Sequence, residues 1–88
     1  MMLRTTIVIA ALLAAGAGTA GAQDPRLARL DSDSRPVVAA IIDSARAAGL
    51  PVEPLVQRAL EGVAKRAAGA RIIAAVRRLA ADLASAQA

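Results

Sequence analysis

The chain has 88 residues, 57% of them hydrophobic, and a net charge of +4, yet it contains no His, Cys, Trp, Tyr or Phe. Without His or Cys there is no ordinary catalytic triad, thiol nucleophile, zinc cluster or disulfide framework. Without aromatics, each of which can bury about 150–250 Å², any core must come from Leu, Ile, Val and Ala.

The N-terminus comes first. Met1 to Arg4 supplies a short positive stretch, and residues 5–15 form an apolar run containing Ile7, Val8, Ile9, Leu12 and Leu13. Gly16, Gly18, Thr19 and Gly21 follow, and Ala20 and Ala22 place small side chains at −3 and −1 of a cut before Gln23. This order predicts a secretory signal peptide over 1–22, and a mature chain that is secreted or periplasmic after cleavage. The competing reading is an uncleaved membrane anchor, since residues 5–22 are uncharged and about 18 residues is just within spanning length. The Ala- and Gly-rich second half argues for cleavage. No Cys follows the apolar run, so the mature N-terminus has no thiol to carry a lipid.

Cleavage leaves 66 of the 88 residues, one domain at most. Removing Arg4 lowers the charge from +4 to +3, and the excess lies in 53–88, because four Arg balance four Asp over 23–52. Lys65 is the sole lysine, and the Arg excess with abundant Ala reads as compositional bias, not phosphate binding. A core this thin favours self-association or a protein partner. It is also consistent with a truncated fragment of a longer secreted protein.

Residues 23–35 read as a polar lead-in, with Pro25 and the 31–34 stretch resisting regular structure and Leu27 and Leu30 making a short turn that tucks onto the rest. A first helix is expected over 36–48, with Ser34 as N-cap and Pro36 tolerated in the first turn. Val37, Val38, Ile41, Ile42 and Ala45 give it one apolar stripe. Gly49 fits the left-handed position after the helix, Leu50 packs back, and Pro51 blocks continuation.

A second helix starts near Glu53 and Pro54, with Glu53 favoured by the helix dipole. Its stripe is Leu55, Val56, Ala59, Leu60 and Val63, with Ala67 as a candidate extension. Gly62 either admits a close helix or costs about 1 kcal/mol against Ala. Lys65 and Arg66 suit the helix C-terminus, and residues 68–70 make the next break. The third helix, over 71–85, carries Ile72, Val76, Leu79 and Leu83 in 4-3-4 spacing, widened by Ile73 and Ala80. Arg78 and Asp82 are spaced for an i, i+4 pair, and residues 86–88 are expected to fray. The fold class is all-α: a signal peptide, then a three-helix arrangement over 36–85. No strand pattern or internal repeat is present.

The chemistry-bearing residues are sparse. Ser32, Ser34, Ser44 and Ser85 have no candidate base except carboxylates, and those are spread along the chain. Asp31-x-Asp33 opens like a calcium loop, but Arg35, Pro36 and Ile42 then occupy the fifth, sixth and twelfth positions, where the loop needs ligands, Gly and Glu. Ala45, Gly49 and Leu55 have helix-turn-helix spacing, but Pro54 opens the second helix and few early side chains there can reach a base edge. No catalytic residue, metal, cofactor or nucleic-acid partner is expected. The candidate interaction face is Ile72, Val76, Leu79 and Leu83. Lys65, Arg66, Arg71, Arg77 and Arg78 are candidate contacts to an anionic surface, including membrane, but interfacial helices also use aromatic anchors, and a solvated face is the favoured reading.

The run Gly49-Leu50-Pro51-Val52-Glu53-Pro54-Leu55-Val56, then Ala59-Leu60-Glu61-Gly62, Lys65, Arg71-Ile72, Ala75-Val76-Arg77 and Leu79-Ala80, resembles a segment of uncharacterised secreted bacterial proteins. The shared pattern is GLPxEPLVxKALEG, a lysine, a small loop and RIxxAVRxLAxxL. The resemblance covers about residues 46–83 and departs at Arg58, where Lys is usual, and at Ala70, where an acid or Pro is usual. It implies a small exported helical protein and carries no activity; such proteins are often longer. The reading is an exported, non-enzymatic helical interaction module. The alternative is a basic amphipathic peptide associated with the envelope or a membrane.

Overall fold

Residues 24–87 are described by a computed structural model. The expected signal peptide, with Ala20, Ala22 and Gln23, and the terminal Ala88 lie outside the described residues. Every element described is helical and no strand occurs among these residues.

Asp24 is the first of the described residues. Its carboxylate accepts the Arg26 amide at 2.9 Å, and Pro25 opens a 3₁₀ turn, Pro25–Arg29, at a position where its missing donor has no partner to lose. The turn brings Leu27 and Leu30 onto one side, and both are buried. The polar lead-in thus contains two core residues and a short helical element.

Helix α1 spans Ser34–Ala47. Ser34 is not its cap: the capping carboxylate is Asp31. Asp31 Oδ1 accepts the amides of Asp33 at 3.0 Å and Ser34 at 2.7 Å, and Oδ2 accepts the Ser34 hydroxyl at 3.0 Å. The Asp31 carbonyl accepts the Arg35 amide at 3.0 Å, so the first turn begins at Asp31. Pro36 has no amide hydrogen to continue that ladder, which is why regular helix starts only at Ser34. Ser34 itself is buried, its hydroxyl satisfied by Asp31.

Helix α2 spans Glu53–Ala64. Both α1 and α2 end in the same hydrogen-bond pattern. After α1, the Leu50 amide donates to the Ala45 carbonyl at 2.9 Å and Gly49 to Arg46 at 3.0 Å; after α2, Ala67 donates to Gly62 at 2.9 Å and Arg66 to Val63 at 3.0 Å. This is the Schellman closure, and it requires a left-handed residue between helix and tail. Gly49 fills that place after α1, with φ 78°, as the sequence predicts. After α2 the residue is Arg66, with φ 59°.

That closure places the second break at 65–68, not at 68–70. Helix α3 then begins at Gly69 and runs to Gln87. Its Ala-rich end, with Ala84 and Ala86, stays helical to Gln87, where fraying is expected over 86–88. Gly69 is a helical residue and makes no turn; it serves close contact. A Cβ there would collide with Ser34 Oγ and lie 2.8 Å from Asp31 Oδ2.

Helix α3 packs against both α1 and α2, which touch each other little, while the 3₁₀ turn sits mainly on α2. The shared core is Leu27, Leu30, Val38, Ala39, Ile42, Ala45, Leu55, Val56, Ala59, Ile72 and Val76. Gly62 faces Ile72 so closely that an added Cβ would stand 2.6 Å from Ile72 Cγ1. Of its two sequence readings, close approach is the one that holds.

Two stability outcomes follow from this packing. Arg66→Gly relieves a left-handed side chain and is expected to stabilise by about 0.5–1 kcal/mol, read as a higher Tm by circular dichroism. Gly62→Ala gains helix propensity but wedges against the buried Ile72, for a net loss of about 1–2 kcal/mol in urea unfolding.

Candidate interaction surface

Charged residues at the edges of the helices define the polar geometry. Arg26 is the most connected. Its Nη1 and Nη2 donate to Glu53 Oε2 and Oε1, both at 2.8 Å, in a two-pronged pair. The same guanidinium donates to Asp24 through Nε at 3.0 Å and Nη2 at 2.7 Å, and Gln57 Nε2 donates to Glu53 at 2.9 Å. Hydrogen bonds from Arg26 hold Asp24 at about 2. Glu53 also lies at about 2, through Arg26 first and Gln57 second. Arg26 is raised by Glu53 and then Asp24. The cluster ties the 3₁₀ turn to the start of α2. Nothing local in the sequence signals it, since Arg26 and Glu53 stand 27 residues apart.

A second cation, Arg35, anchors the same turn from α1. Its Nη2 donates to the carbonyls of Leu30 at 2.8 Å and Ala28 at 3.2 Å, while its buried Nε has no partner among the described residues. Asp31 lies below the usual carboxylate range, chiefly through the Ser34 amide and then the Ser34 hydroxyl. It also stands beside Gly69, so negative charge sits near the positive ends of both α1 and α3.

The expected interaction face divides. Val76 is fully buried in the core, and Ile72 is buried except for an edge that reaches the surface between α2 and α3; Leu79 and Leu83 are half-buried against it. The five basic residues divide too. Arg77 and Arg78 lie exposed midway along α3, and Lys65, Arg66 and Arg71 gather at the α2–α3 junction. The expected Arg78–Asp82 pair does not form among the ion pairs of the described residues. Both side chains are exposed, and a cation preceding an acid along a helix is the weaker order.

Between α2 and α3 lies a shallow depression of about 200 Å³, lined by Arg58, Glu61, Gly62, Lys65, Ala67, Arg71, Ile72 and Ala75. Small and aliphatic side chains make its floor, and three cations and one acid its edge. Glu61 pairs with Arg58 and Lys65, each at 3.4 Å, across exposed side chains. Arg71 joins no ion pair among the described residues. The 58, 61, 65 spacing on one face of α2 was readable in the sequence; the apposition of Arg71 and Ala75 required the fold. Among the described residues no cluster of three or more His, Cys, Asp or Glu could hold a metal, and no helix is long and apolar enough to cross a membrane.

No family model, no curated protein and no solved structure matches this chain.

The ion cluster gives the fold an acid dependence. Asp24 and Glu53 ionise at lower pH in the fold than in the unfolded chain, so their stabilisation is present above about pH 4. It is lost as pH falls through the folded values of about 2. Tm is expected to be level above about pH 5 and to fall below about pH 4. Glu53→Gln should lower the plateau and make the acid decline shallower; an unchanged decline contradicts the assignment.

Proposed function

We propose that this chain is an exported, non-enzymatic helical interaction module. Export rests on the order of segments at the N-terminus: a positive start, a short apolar run, and the small residues Ala20 and Ala22 before Gln23. The resemblance of residues 46–83 to a segment of secreted bacterial proteins points the same way. The absence of His and Cys from the sequence argues against triad, thiol and zinc-cluster chemistry, and its carboxylates are spread along the chain. The observation that carries the binding role is the depression between α2 and α3, an apolar floor edged by Arg58, Lys65 and Arg71.

A basic envelope-associated peptide is the second reading. It draws on the gathering of Lys65, Arg66 and Arg71 at one junction, and it lacks the aromatic anchors usual at a membrane interface.

Expression of all 88 residues in a bacterium, followed by fractionation and intact-mass analysis, tests the first reading. A product starting at Gln23 in periplasm or medium is the expected result. An uncut chain retained in the cytoplasm or inner membrane overturns export, and turnover of a defined envelope substrate by the purified product overturns the non-enzymatic assignment.

A further inference from the structure

Three features of the surface bear on a partner: the half-buried Leu79 and Leu83, the buried unpartnered Nε of Arg35, and the depression between α2 and α3. Nothing in the structure shows what covers the leucines. Arg35 belongs to the clamp on the 3₁₀ turn. The depression carries the argument further, because its size, floor and charge each restrict the occupant.

We propose that the depression docks an acidic peptide segment, with one aliphatic side chain seated over Gly62, Ile72 and Ala75 and a flanking carboxylate on Arg71. The inference deepens the interaction-module reading and rests on its binding half, not on export.

Size comes first. About 200 Å³ of space is below the 300–1,000 Å³ usual for small-molecule pockets. It suits one aliphatic side chain. The floor is apolar: Gly62, Ala67, Ile72 and Ala75 contribute no charged group.

Charge comes next. The edge holds three cations against Glu61 alone, so the site is electropositive. Arg58 and Lys65 already share Glu61 through long, exposed contacts. Arg71 is different. It lies in the first turn of α3, where the helix dipole disfavours a cation, and it has no ionic partner among the described residues. A guanidinium in that position can take a carboxylate through two parallel hydrogen bonds.

The alternatives fit less well. A single-stranded nucleic acid would stack its bases on aromatic side chains, and the chain has none; a duplex would call for cations spaced along its phosphates, whereas these three ring one small apolar floor with Glu61 among them. A lipid surface would engage aromatic anchors and a broad apolar face, whereas this floor is small and edged by charged residues.

The test uses the protein recovered from cells expressing the full chain, in whichever processed form they yield, labelled with ¹⁵N. It is titrated with a synthetic peptide, acetyl-Glu-Asp-Leu-Glu-Asp-amide, and in parallel with vesicles of phosphatidylglycerol. Amide shifts centred on Gly62, Ile72 and Ala75 are expected with the peptide. Arg71→Glu should weaken binding about tenfold or more with helicity unchanged. Ala75→Leu, which fills the depression without altering charge, should also weaken it, and Arg77→Glu, outside the depression, should not. Peptide binding indifferent to Arg71→Glu and Ala75→Leu overturns the proposal. So does the absence of peptide binding alongside vesicle binding that Arg71→Glu abolishes, an outcome that would assign the site to anionic lipid. Retention of the chain inside the cell would overturn export alone and leave the docking result to stand or fall by these shifts.

Discussion

Close approach of α3 to its neighbours at two glycines is the constraint on which this fold depends. The core has no aromatic ring and draws on Leu, Ile, Val and Ala. Short side chains fill space only when backbones come near one another, since dispersion contacts fall away across even a small gap. Gly62 lets Ile72 lie against α2, and Gly69 lets the start of α3 lie against Ser34 and Asp31. Neither glycine turns the chain. Remove the close contacts and Val76, fully buried between its neighbours, would lose its surroundings.

The second contact also links packing to charge. Asp31 caps α1 through its side chain and stands next to the first residue of α3. The first turn of α3, from Gly69 through Ala70, contains no acid of its own. Asp31 brings negative charge to that end from a distant part of the sequence. At the opposite edge, Arg26 joins Asp24 to Glu53 and so fixes the 3₁₀ turn that supplies Leu27 and Leu30 to the core.

Much of the helical framework was legible in the sequence because periodicity and end signals agree locally. The stripes over 37–45 and 55–63 lie inward, and Gly49 takes the left-handed place its position predicts. The misplacements have physical causes. Ser34 looks like a cap, but Asp31 captures both the amides and the Ser34 hydroxyl. Gly69 looks like a break, but Arg66 accepts the left-handed conformation and frees the glycine for packing. On α3, periodicity identifies one continuous stripe and cannot say where core ends. Ile72 and Val76 fall inside it, and Leu79 and Leu83 fall at its margin. Long-range pairs such as Arg26–Glu53, and the meeting of Arg71 with α2 residues around one depression, have no local signature at all.

The most direct test of the account is a ¹³C-edited, isotope-filtered nuclear Overhauser experiment that separates contacts within one chain from contacts between chains. The account predicts intramolecular cross-peaks from the Ile72 γ-methylene to the Gly62 α-protons, and from the Ser34 β-protons to the Gly69 α-protons. Their absence, or their appearance only between chains, would contradict a core closed within one molecule by these two approaches.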